Sequence, residues 1–323
     1  MSNDTLERVR VFAPATVGNV GPGYDVLGLA IDGVGDIVHA HRIDEPGAAR
    51  LLRIEGADMQ PADDNTAVVG ARGALALCKA DFGVELVLEK GLPIGSGLGS
   101  SGASAAAAAM AVNLLAGSPL PPDAFVGVCA EAERVASGAP HADNVAPALL
   151  GGVVLLTPHG RPIRIHSELE LGVALVTPAQ RVETRYARET IPASIPLVEA
   201  ISNNAMLATL VYALATNNAE LLRGTITDRI AEPRRAPLIK GFAEAKQAAL
   251  DAGALGASIS GSGPTIFALC NDVAKADAVQ KAMSEALHEI NIAHVHRASP
   301  VAKRGAHAID DDGKPLHQPE ASA

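Results

Sequence analysis

The amino-acid sequence predicts a two-domain protein that contains both strands and helices. Its 323 residues are enough for two domains of ordinary size, each with its own buried core. Alternating segments typical of strands and periodic segments typical of helices follow one another along the chain. Turn-forming residues cluster at positions 158–162. We therefore expect an N-terminal domain of residues 1–160 and a C-terminal domain of residues 161–298.

In the first expected domain, apolar–polar alternation predicts strands, and periodic or alanine-rich segments predict helices. The predicted strands cover residues 9–14, 37–43, 84–89 and 153–157, with a further apolar segment at 26–31. The predicted helices cover residues 66–81, 101–115 and 123–136. Asn65 stands where a residue would cap the first of these helices.

In the second expected domain, the same patterns predict a strand at 172–177, a helical region at 195–222 and a helix at 238–252. The segment SISGSGPTIFAL, residues 258–269, predicts a strand, a turn and a helix. From residue 299 onward the chain is polar and includes DDDGK and HQPEASA. Such a composition buries little apolar surface, so we expect a disordered tail over residues 299–323.

Composition and charge exclude several classes of function. The net charge of −10 argues against a surface for nucleic acid or for an anionic membrane. Cys78, Cys129 and Cys270 are far apart in sequence, which favours isolated thiols over a disulfide framework or a zinc site. The first residues lack the apolar core of a signal peptide, and the most apolar run, 103–116, is too short to span a bilayer. We expect a soluble cytoplasmic protein with no nucleic-acid or membrane partner.

Residues 91–110, GLPIGSGLGSSGASAAAAAM, form a glycine-rich loop between a predicted strand and a predicted helix. Their G-x-G-x-x-G spacing fits a dinucleotide fingerprint, but that site needs a second strand ending in an acid about 20 residues later. A second predicted helix follows here instead of a strand. Asp123 lies at about the required distance, but its position indicates the N-cap of that helix. A Walker A loop is also excluded, because no Lys follows the glycines. The remaining interpretations are an anion cradle at a helix N-terminus and a plain surface turn.

Three segments resemble the signature motifs of the GHMP kinases, a superfamily of small-molecule kinases. PIGSGLGSS (93–101) resembles the ATP-binding motif, PATVGNVGPGYDVLG (14–28) the first motif and GASISGSGPT (256–265) the third. The resemblance implies an α+β fold, with an N-terminal domain like domain 2 of ribosomal protein S5 and a ferredoxin-like C-terminal domain. It implies ATP binding by Asn65, Pro93, Ile94, Gly95, Ser96, Gly97, Leu98, Gly99, Ser100, Ser101, Gly102 and Ala103.

Two segments, GNVGPGYD and HADNVAPALLGG (141–152), resemble the homoserine kinase branch in particular. The resemblance implies transfer of the γ-phosphoryl group of MgATP to the side-chain hydroxyl of L-homoserine, in threonine biosynthesis. Such a substrate requires an anion for its ammonium, cationic forks for its carboxylate and polar groups that aim its hydroxyl. The implied substrate-binding residues are Asn19, Asp25, His141, Asn144, Thr184, Arg188 and Arg235.

The resemblance also implies a magnesium site and a mode of catalysis. Ser101 and Glu133 are the implied Mg²⁺ ligands, and together with Asn144 and Arg188 they form the implied catalytic set. Phosphoryl transfer depends mainly on positioning and charge stabilisation, so no dedicated base is expected, with Asp143 as the alternative. Homodimerisation, which is common in the family, is a further expectation.

Other interpretations of these residues remain open from the sequence. Asp25 and Asn144 could each cap a turn, and Glu133 could be a solvated helix charge. Arginines occur in two pairs, Arg185 with Arg188 and Arg234 with Arg235, and one member of each pair could be a solvated surface residue. The resemblance favours the second member of each pair as the substrate-binding residue. The first motif departs from the family at Val17 and Gly18. A kinase for a mevalonate-like or shikimate-like alcohol and a metabolite sensor without turnover are the rival functions.

Overall fold

The structure, a computed structural model, describes residues 6–316, apart from the side chains of residues 135–137. Its strands form a seven-stranded and a four-stranded sheet. The larger sheet contains β1 (Arg8–Gly18), β2 (Leu27–Ile43), β3 (Ala49–Glu55), β4 (Gly83–Glu89), β5 (Val153–Leu156), β6 (Pro162–Ile165) and β11 (His307–Ala308). The smaller sheet contains β7 (Gly172–Pro178), β8 (Gly256–Ile259), β9 (Ile266–Cys270) and β10 (His294–Pro300).

Helices pack on both sheets. The helices of the first half are α1 (Thr66–Leu77), α2 (Ser100–Leu115), α3 (Val126–Ser137) and α4 (Val145–Leu150). The helices of the second half are α5 (Thr184–Glu189), α6 (Leu197–Ala215), α7 (Ala219–Leu222), α8 (Glu232–Arg235), α9 (Phe242–Asp251) and α10 (Val273–Glu289). This combination of sheets and helices confirms the predicted α+β class.

Helix α2 fixes the position of the glycine-rich loop. It lies against β1 and β2, and every residue from Gly102 to Leu115 is buried. Its alanines favour the helix and let its backbone approach the sheet closely. Just before the helix, the Leu98 carbonyl accepts a hydrogen bond of 3.0 Å from the Thr16 backbone N–H on β1. The loop is therefore held between the larger sheet and the first turn of α2.

The smaller sheet has the strand order β10-β7-β9-β8 and is antiparallel throughout. The segment 258–269 forms a hairpin of β8 and β9, so the predicted helix after the turn is wrong. Its apolar run Ile266–Cys270 is completely buried between two neighbouring strands. A short apolar run has no periodicity that distinguishes a buried strand from a buried helix. Here the pairing with β7 and β8 determines that the segment is a strand.

The expected boundary at residue 160 does not coincide with the change of sheet. Strand β6, Pro162–Ile165, still pairs with β5 in the larger sheet. The smaller sheet begins with β7, and β10 extends to Pro300. The chain then returns to the larger sheet, where β11 pairs with β1.

The prediction of a disordered tail is wrong for residues 299–316. Ser299 and Pro300 belong to β10, and Val301 forms a bridge with Ile31 on β2. Beyond them, Ala306 donates a backbone hydrogen bond of 2.7 Å to the Ala148 carbonyl on α4. Composition missed this because the segment docks through backbone hydrogen bonds and small buried residues. Residues 317–323 lie outside the described part of the chain.

Replacement of Gly305 by Val is expected to lower the free energy of unfolding by about 2 kcal/mol. A Cβ at Gly305 would lie 2.1 Å from the Leu149 carbonyl oxygen, so the returning segment must move away from α4. Urea unfolding measures the effect. Gly127→Ala on α3 is the control, because a Cβ there meets nothing within 4 Å. Equal stability of the Gly305→Val and native proteins would show that the segment is not docked.

Helix α6 is apolar enough by length and composition to cross a membrane, with a mean hydropathy of 1.3 in its most apolar window. Its inner side nonetheless carries a polar anchor. The Asn203 side chain donates to the Pro22 carbonyl at 2.9 Å and accepts from the Arg229 backbone N–H at 3.1 Å. The first bond ties α6 to the loop after β1, and the second ties it to the segment before α8.

Candidate functional site

The three sequence motifs meet at one cleft of about 600 Å³. The turn between β8 and β9 carries the third motif and touches both of the others. The Ser260 hydroxyl donates to the Gly97 carbonyl at 2.7 Å, in the glycine-rich loop. The Gly261 backbone N–H donates to the Gly18 carbonyl at 3.1 Å, at the end of β1. The third motif therefore holds the other two in fixed relative positions.

The glycine-rich loop requires residues without side chains. Gly95, Gly97 and Gly99 have φ values of 70°, 82° and 67°, in the left-handed region that favours glycine. A Cβ on Gly99 would lie 2.0 Å from the Thr16 hydroxyl oxygen. Gly99 also precedes the first residue of α2, so the loop presents backbone N–H groups at the N-terminus of a 16-residue helix. This arrangement favours a phosphate group.

Most of the implied nucleotide-binding residues line the cleft: Asn65, Ile94, Gly95, Ser96, Gly97, Gly99, Ser100 and Ser101. Asn65 also caps α1, as predicted, by accepting from the Ala67 backbone N–H at 2.9 Å. The structure does not bring the other four, Pro93, Leu98, Gly102 and Ala103, to the lining of the cleft. Gly102 and Ala103 are buried inside α2.

Gly99→Val is expected to abolish nucleotide binding. The substitution places a side chain against Thr16 and Asn144 and forces a strained backbone, so the loop must leave its present conformation. Isothermal titration with ATP measures the affinity, and circular dichroism checks the fold. Gly117→Val is a control with the same backbone strain, because Gly117 has φ 82° but an open surrounding. A folded Gly99→Val protein with native ATP affinity would rule out this loop as the phosphate site.

Ser101 and Glu133 lie together, as predicted. The Ser101 hydroxyl donates to Glu133 Oε2 at 2.9 Å. Glu133 is only 7% exposed, whereas the side chain of Glu131 is 60% exposed and pairs with Arg134. Burial raises the pKa of the Glu133 carboxyl to about 7, against the effect of the Ser101 hydrogen bond. The alternative of a solvated helix charge is therefore wrong for Glu133.

This pair fits a magnesium ion. A hydroxyl and a carboxylate are oxygen donors that Mg²⁺ accepts, and Mg²⁺ usually combines one or two protein ligands with phosphate oxygens and water. Burial raises the pKa of the Glu133 carboxyl, and a bound cation would favour its charged form. Within residues 6–316, no cluster of three or more His, Cys, Asp or Glu side chains is placed to hold a metal. The site therefore suits an ion that arrives with a nucleotide.

A buried ion pair beneath the loop was missed by the sequence analysis. Lys90 pairs with Asp36, and both side chains are almost completely buried. The Lys90 ammonium also donates to the Ser104 hydroxyl at 2.9 Å and to the Ser100 carbonyl at 3.3 Å. These bonds join β2, β4 and the first turn of α2. Only the fold brings residues so far apart in sequence together, so no local pattern could reveal this network.

Asn19 and Asp25, which also line the cleft, shape the first motif. Both have a left-handed backbone, with φ values of 70° and 59°. The Asn19 side chain accepts from the Asp25 backbone N–H at 3.0 Å and donates to the Gly261 carbonyl at 2.9 Å. The Asp25 carboxylate caps no turn and points to Arg188, which donates to both of its oxygens at 2.8 and 2.9 Å. The turn-cap alternative for Asp25 is therefore wrong.

His141 lies beside this ion pair. Its Nδ1 is 3.1 Å from Arg188 Nη2, and because an arginine can only donate, Nδ1 accepts this bond. Burial and the Arg188 charge lower the pKa of His141, so the ring is neutral with its proton on Nε2. This buried Nε2 has no hydrogen-bond partner within the described part of the chain. It is a donor that a ligand in the cleft can meet.

The two arginine pairs divide as the resemblance favours. Both Arg185 and Arg188 line the cleft, but the Arg185 side chain is 85% exposed and pairs with Glu189, whereas Arg188 pairs with Asp25. Arg235 is 4% exposed. It donates from Nε, Nη1 and Nη2 to the Ala187 carbonyl, the Gly261 carbonyl and the Tyr24 hydroxyl. Two of its five N–H groups remain for a ligand.

Asn144 and Thr184 complete the predicted set. Asn144 precedes α4 without capping it through its side chain, which instead accepts from the Thr16 hydroxyl at 2.9 Å. The cap alternative for Asn144 is therefore wrong. Thr184 begins α5, and its hydroxyl is 3.2 Å from that of Ser262 in the third motif. All seven implied substrate-binding residues line the same cleft.

Asp143 is buried beside Asn144 and gives a pH-dependent contribution to stability. Burial and the negative charge of Asp25 raise the pKa of its carboxyl from 3.8 to about 6. The folded protein therefore holds this proton more tightly than the unfolded chain does, and the free energy of unfolding falls as the pH rises between these values. Above pH 6 the loss is complete. It amounts to about 3 kcal/mol, at about 1.4 kcal/mol per pKa unit.

The substitution Asp143→Asn is expected to remove this loss. Its stability relative to the native protein should therefore increase from pH 4 to pH 6 and then remain constant. The amide oxygen can still accept the 3.1 Å bond from the Asn19 backbone N–H. Urea unfolding across this pH range measures the difference. A stability difference that does not change with pH would contradict the raised pKa of Asp143.

Comparison with known proteins agrees with the fold and the site. The family model "GHMP kinases N terminal domain" matches residues 67–152, and "GHMP kinases C terminal" matches residues 208–289. The cleft lies between these two regions and carries all three motifs. The chain therefore belongs to the GHMP kinases, which confirms the predicted class of phosphotransferase and implies the use of ATP.

Several similar relatives within this family are homoserine kinases. The homoserine kinase of Xanthomonas campestris is 40% identical over 315 residues, covering 94% of this chain and 95% of the relative. That of Pyrococcus abyssi is 39% identical and covers 88% of this chain and 94% of the relative. The crystal structure of homoserine kinase from Cytophaga hutchinsonii has a TM-score of 0.90 at 37% identity, covering 96% of this chain and 99% of that one. The crystal structure of L. major mevalonate kinase, at 15% identity and a TM-score of 0.68, shows a likeness of fold alone.

Proposed function

We propose that the protein transfers the γ-phosphoryl group of MgATP to the side-chain hydroxyl of L-homoserine, forming O-phospho-L-homoserine and ADP. One observation supports this most strongly. A single cleft is lined both by the glycine-rich loop with Ser101 and Glu133 and by Asp25 with two arginines, Arg188 and Arg235. The names of the similar relatives agree with this assignment.

The nucleotide end of the cleft is built for phosphate and magnesium. In this proposal, the backbone N–H groups of the glycine-rich loop and of the first turn of α2 bind the phosphates. Ser101 and Glu133 hold Mg²⁺, which supplies neutralisation of phosphate charge. Asn65, at the N-terminus of α1, lines the same end of the cleft.

The amino-acid end offers opposite charges for a zwitterion. Asp25 accepts the substrate ammonium, and Arg188 with the two remaining N–H groups of Arg235 binds its carboxylate. Asn19 keeps Asp25 in its left-handed conformation through the hydrogen bond to the Asp25 backbone. Thr184 and the Nε2–H of His141 provide further polar contacts at this end of the cleft.

The chemical step then depends on orientation. Asn144, held by the Thr16 hydroxyl, lies beside the glycine-rich loop and aims the substrate hydroxyl. The hydroxyl oxygen forms a bond to the γ-phosphorus, the bond between that phosphorus and the ADP oxygen breaks, and the hydroxyl proton passes to solvent. Holding both reactants in this geometry supplies much of the rate enhancement without a dedicated base.

We also propose that the reaction belongs to threonine biosynthesis and takes place in the cytoplasm. The active protein in this proposal is a homodimer. We assign α6 to the folded body, because Asn203 anchors it to the first motif's loop. Size-exclusion chromatography with light scattering tests the dimer.

An ADP-release assay with a panel of alcohols tests the function. L-Homoserine is expected to give the highest kcat/KM, because mevalonate, shikimate and galactose carry no ammonium for Asp25. A Glu133→Gln preparation, purified in parallel, controls for contaminating kinases. Preference for another alcohol would support a different GHMP kinase, and ATP binding without turnover of any alcohol would support a sensor.

A further inference from the structure

The two side chains assigned to opposite ends of the substrate form an ion pair with each other. Arg188 Nη2 donates to Asp25 Oδ1 at 2.8 Å and to Oδ2 at 2.9 Å. Each side chain is 36% exposed and lines the cleft. The pair therefore occupies the place where the ammonium and the carboxylate of a bound amino acid are to be held.

The neighbouring groups leave Asp25 with Arg188 as its charged partner. Within the described residues, the ion-pair neighbours of Asp25 are Arg188 and His141, and the His141 ring is 3.8 Å away and neutral. Arg235 is turned toward the Ala187 and Gly261 carbonyls and the Tyr24 hydroxyl. Arg235 interacts with Asp25 electrostatically but forms no ion pair with it among the described contacts, so opening of the pair leaves each charge without its directly bonded partner.

We propose that the Asp25–Arg188 ion pair closes the amino-acid subsite and selects zwitterions, because only a ligand with both charges replaces both halves of the pair. This inference rests on the proposed function. A zwitterion exchanges one ion pair for two. A ligand with one charge opens the pair and leaves either Asp25 or Arg188 unpaired in a partly buried site, which is costly.

This arrangement makes the two charged groups of the ligand interdependent. If Asp25 and Arg188 were independent subsites, removal of the ammonium and removal of the carboxylate would weaken binding by separate amounts. With the ion pair present, a ligand that lacks either the ammonium or the carboxylate can no longer exchange one ion pair for two, and it loses the whole of that gain in binding free energy. A substitution that abolishes the pair then has opposite effects on two ligands: it weakens homoserine binding and improves binding of the ligand that uses the remaining charge.

Inhibition constants against homoserine test this reversal. 3-Aminopropan-1-ol retains the ammonium and the hydroxyl, and Arg188→Gln is expected to tighten its binding about tenfold, a change of about 1.4 kcal/mol. 4-Hydroxybutanoate retains the carboxylate, and Asp25→Asn is expected to tighten its binding similarly. Arg161→Gln is the control and should change neither constant, because Arg161 is exposed and lies outside the described lining of the cleft. Unchanged or weaker analogue binding in both variants would overturn the proposal.

A structure of the complex with homoserine gives a second measurement, independent of the variants. The Asp25–Arg188 separation is expected to grow from 2.8 Å to beyond about 4 Å as the ligand charges take over both partners. If homoserine is phosphorylated but the pair persists in the complex, the zwitterion-selection proposal is wrong and the proposed function stands. If homoserine neither binds nor reacts, the proposed function itself fails.

Discussion

Glu133→Gln is expected to lower kcat by about 10²-fold or more, because the variant removes the charged ligand of the proposed magnesium site. The amide keeps the size of the side chain and can still accept the hydrogen bond from Ser101. The concentration of Mg²⁺ needed for half-maximal activity should rise at the same time. Homoserine binding in the absence of nucleotide should change little, since Glu133 is not among the residues assigned to the amino acid.

Glu131→Gln is the matched control for this experiment. Glu131 lies on the same helix, two residues away, but it is exposed and pairs with Arg134. Its substitution should leave both kcat and the magnesium requirement unchanged. If Glu131→Gln proves the more damaging substitution, the metal site has been assigned to the wrong face of α3.

Asp25→Asn is expected to reduce kcat/KM for homoserine by about 10²-fold or more. Removal of one partner from a charge pair that the bound substrate buries typically costs about 2–5 kcal/mol, and each 1.4 kcal/mol is about tenfold in rate. The variant loses the anion that faces the substrate ammonium, and it also leaves Arg188 without its partner. Steady-state kinetics with varied homoserine and saturating ATP measure the loss.

The affinity for ATP distinguishes this effect from unfolding. Asp25 makes no hydrogen bond to the glycine-rich loop, so ATP binding by Asp25→Asn should equal that of the native protein. Asp32→Asn is the control, because Asp32 is exposed and bonds only its neighbour Gly33 among the described contacts. A native kcat/KM for homoserine in Asp25→Asn would show that this carboxylate does not bind the substrate.

Short motifs made the site largely predictable. The glycine-rich loop could be located because left-handed backbone conformations and close backbone approach both require glycine at fixed positions, and Gly95, Gly97 and Gly99 satisfy this. The Ser101–Glu133 contact came from the resemblance alone, since the sequence separates the two residues by 32 positions. The buried Lys90–Asp36 pair and the Asp25–Arg188 pair depend on three-dimensional proximity that no local pattern encodes.

The sequence predicted the fold correctly in long segments with a clear pattern. Prediction failed in short segments. Helix α2 was predicted to within one residue because its alanine-rich sequence has no plausible alternative. Strand β9 was mistaken for a helix because five apolar residues carry no period, and pairing with two neighbouring strands decided its structure. The returning segment after β10 was mistaken for a tail because backbone bonds, such as that from Ala306 to Ala148, hold it in place.

Identification of the reaction product is the decisive test of phosphoryl transfer to L-homoserine. The native protein is incubated with MgATP and L-homoserine, and the phosphorus spectrum is recorded by ³¹P NMR with coupling to protons retained. Phosphoryl transfer to the side-chain hydroxyl predicts ADP and a phosphate monoester signal split by the two protons of the adjacent CH₂ group. ADP with inorganic phosphate alone, or a phosphorylated carboxylate or amine, would contradict the account.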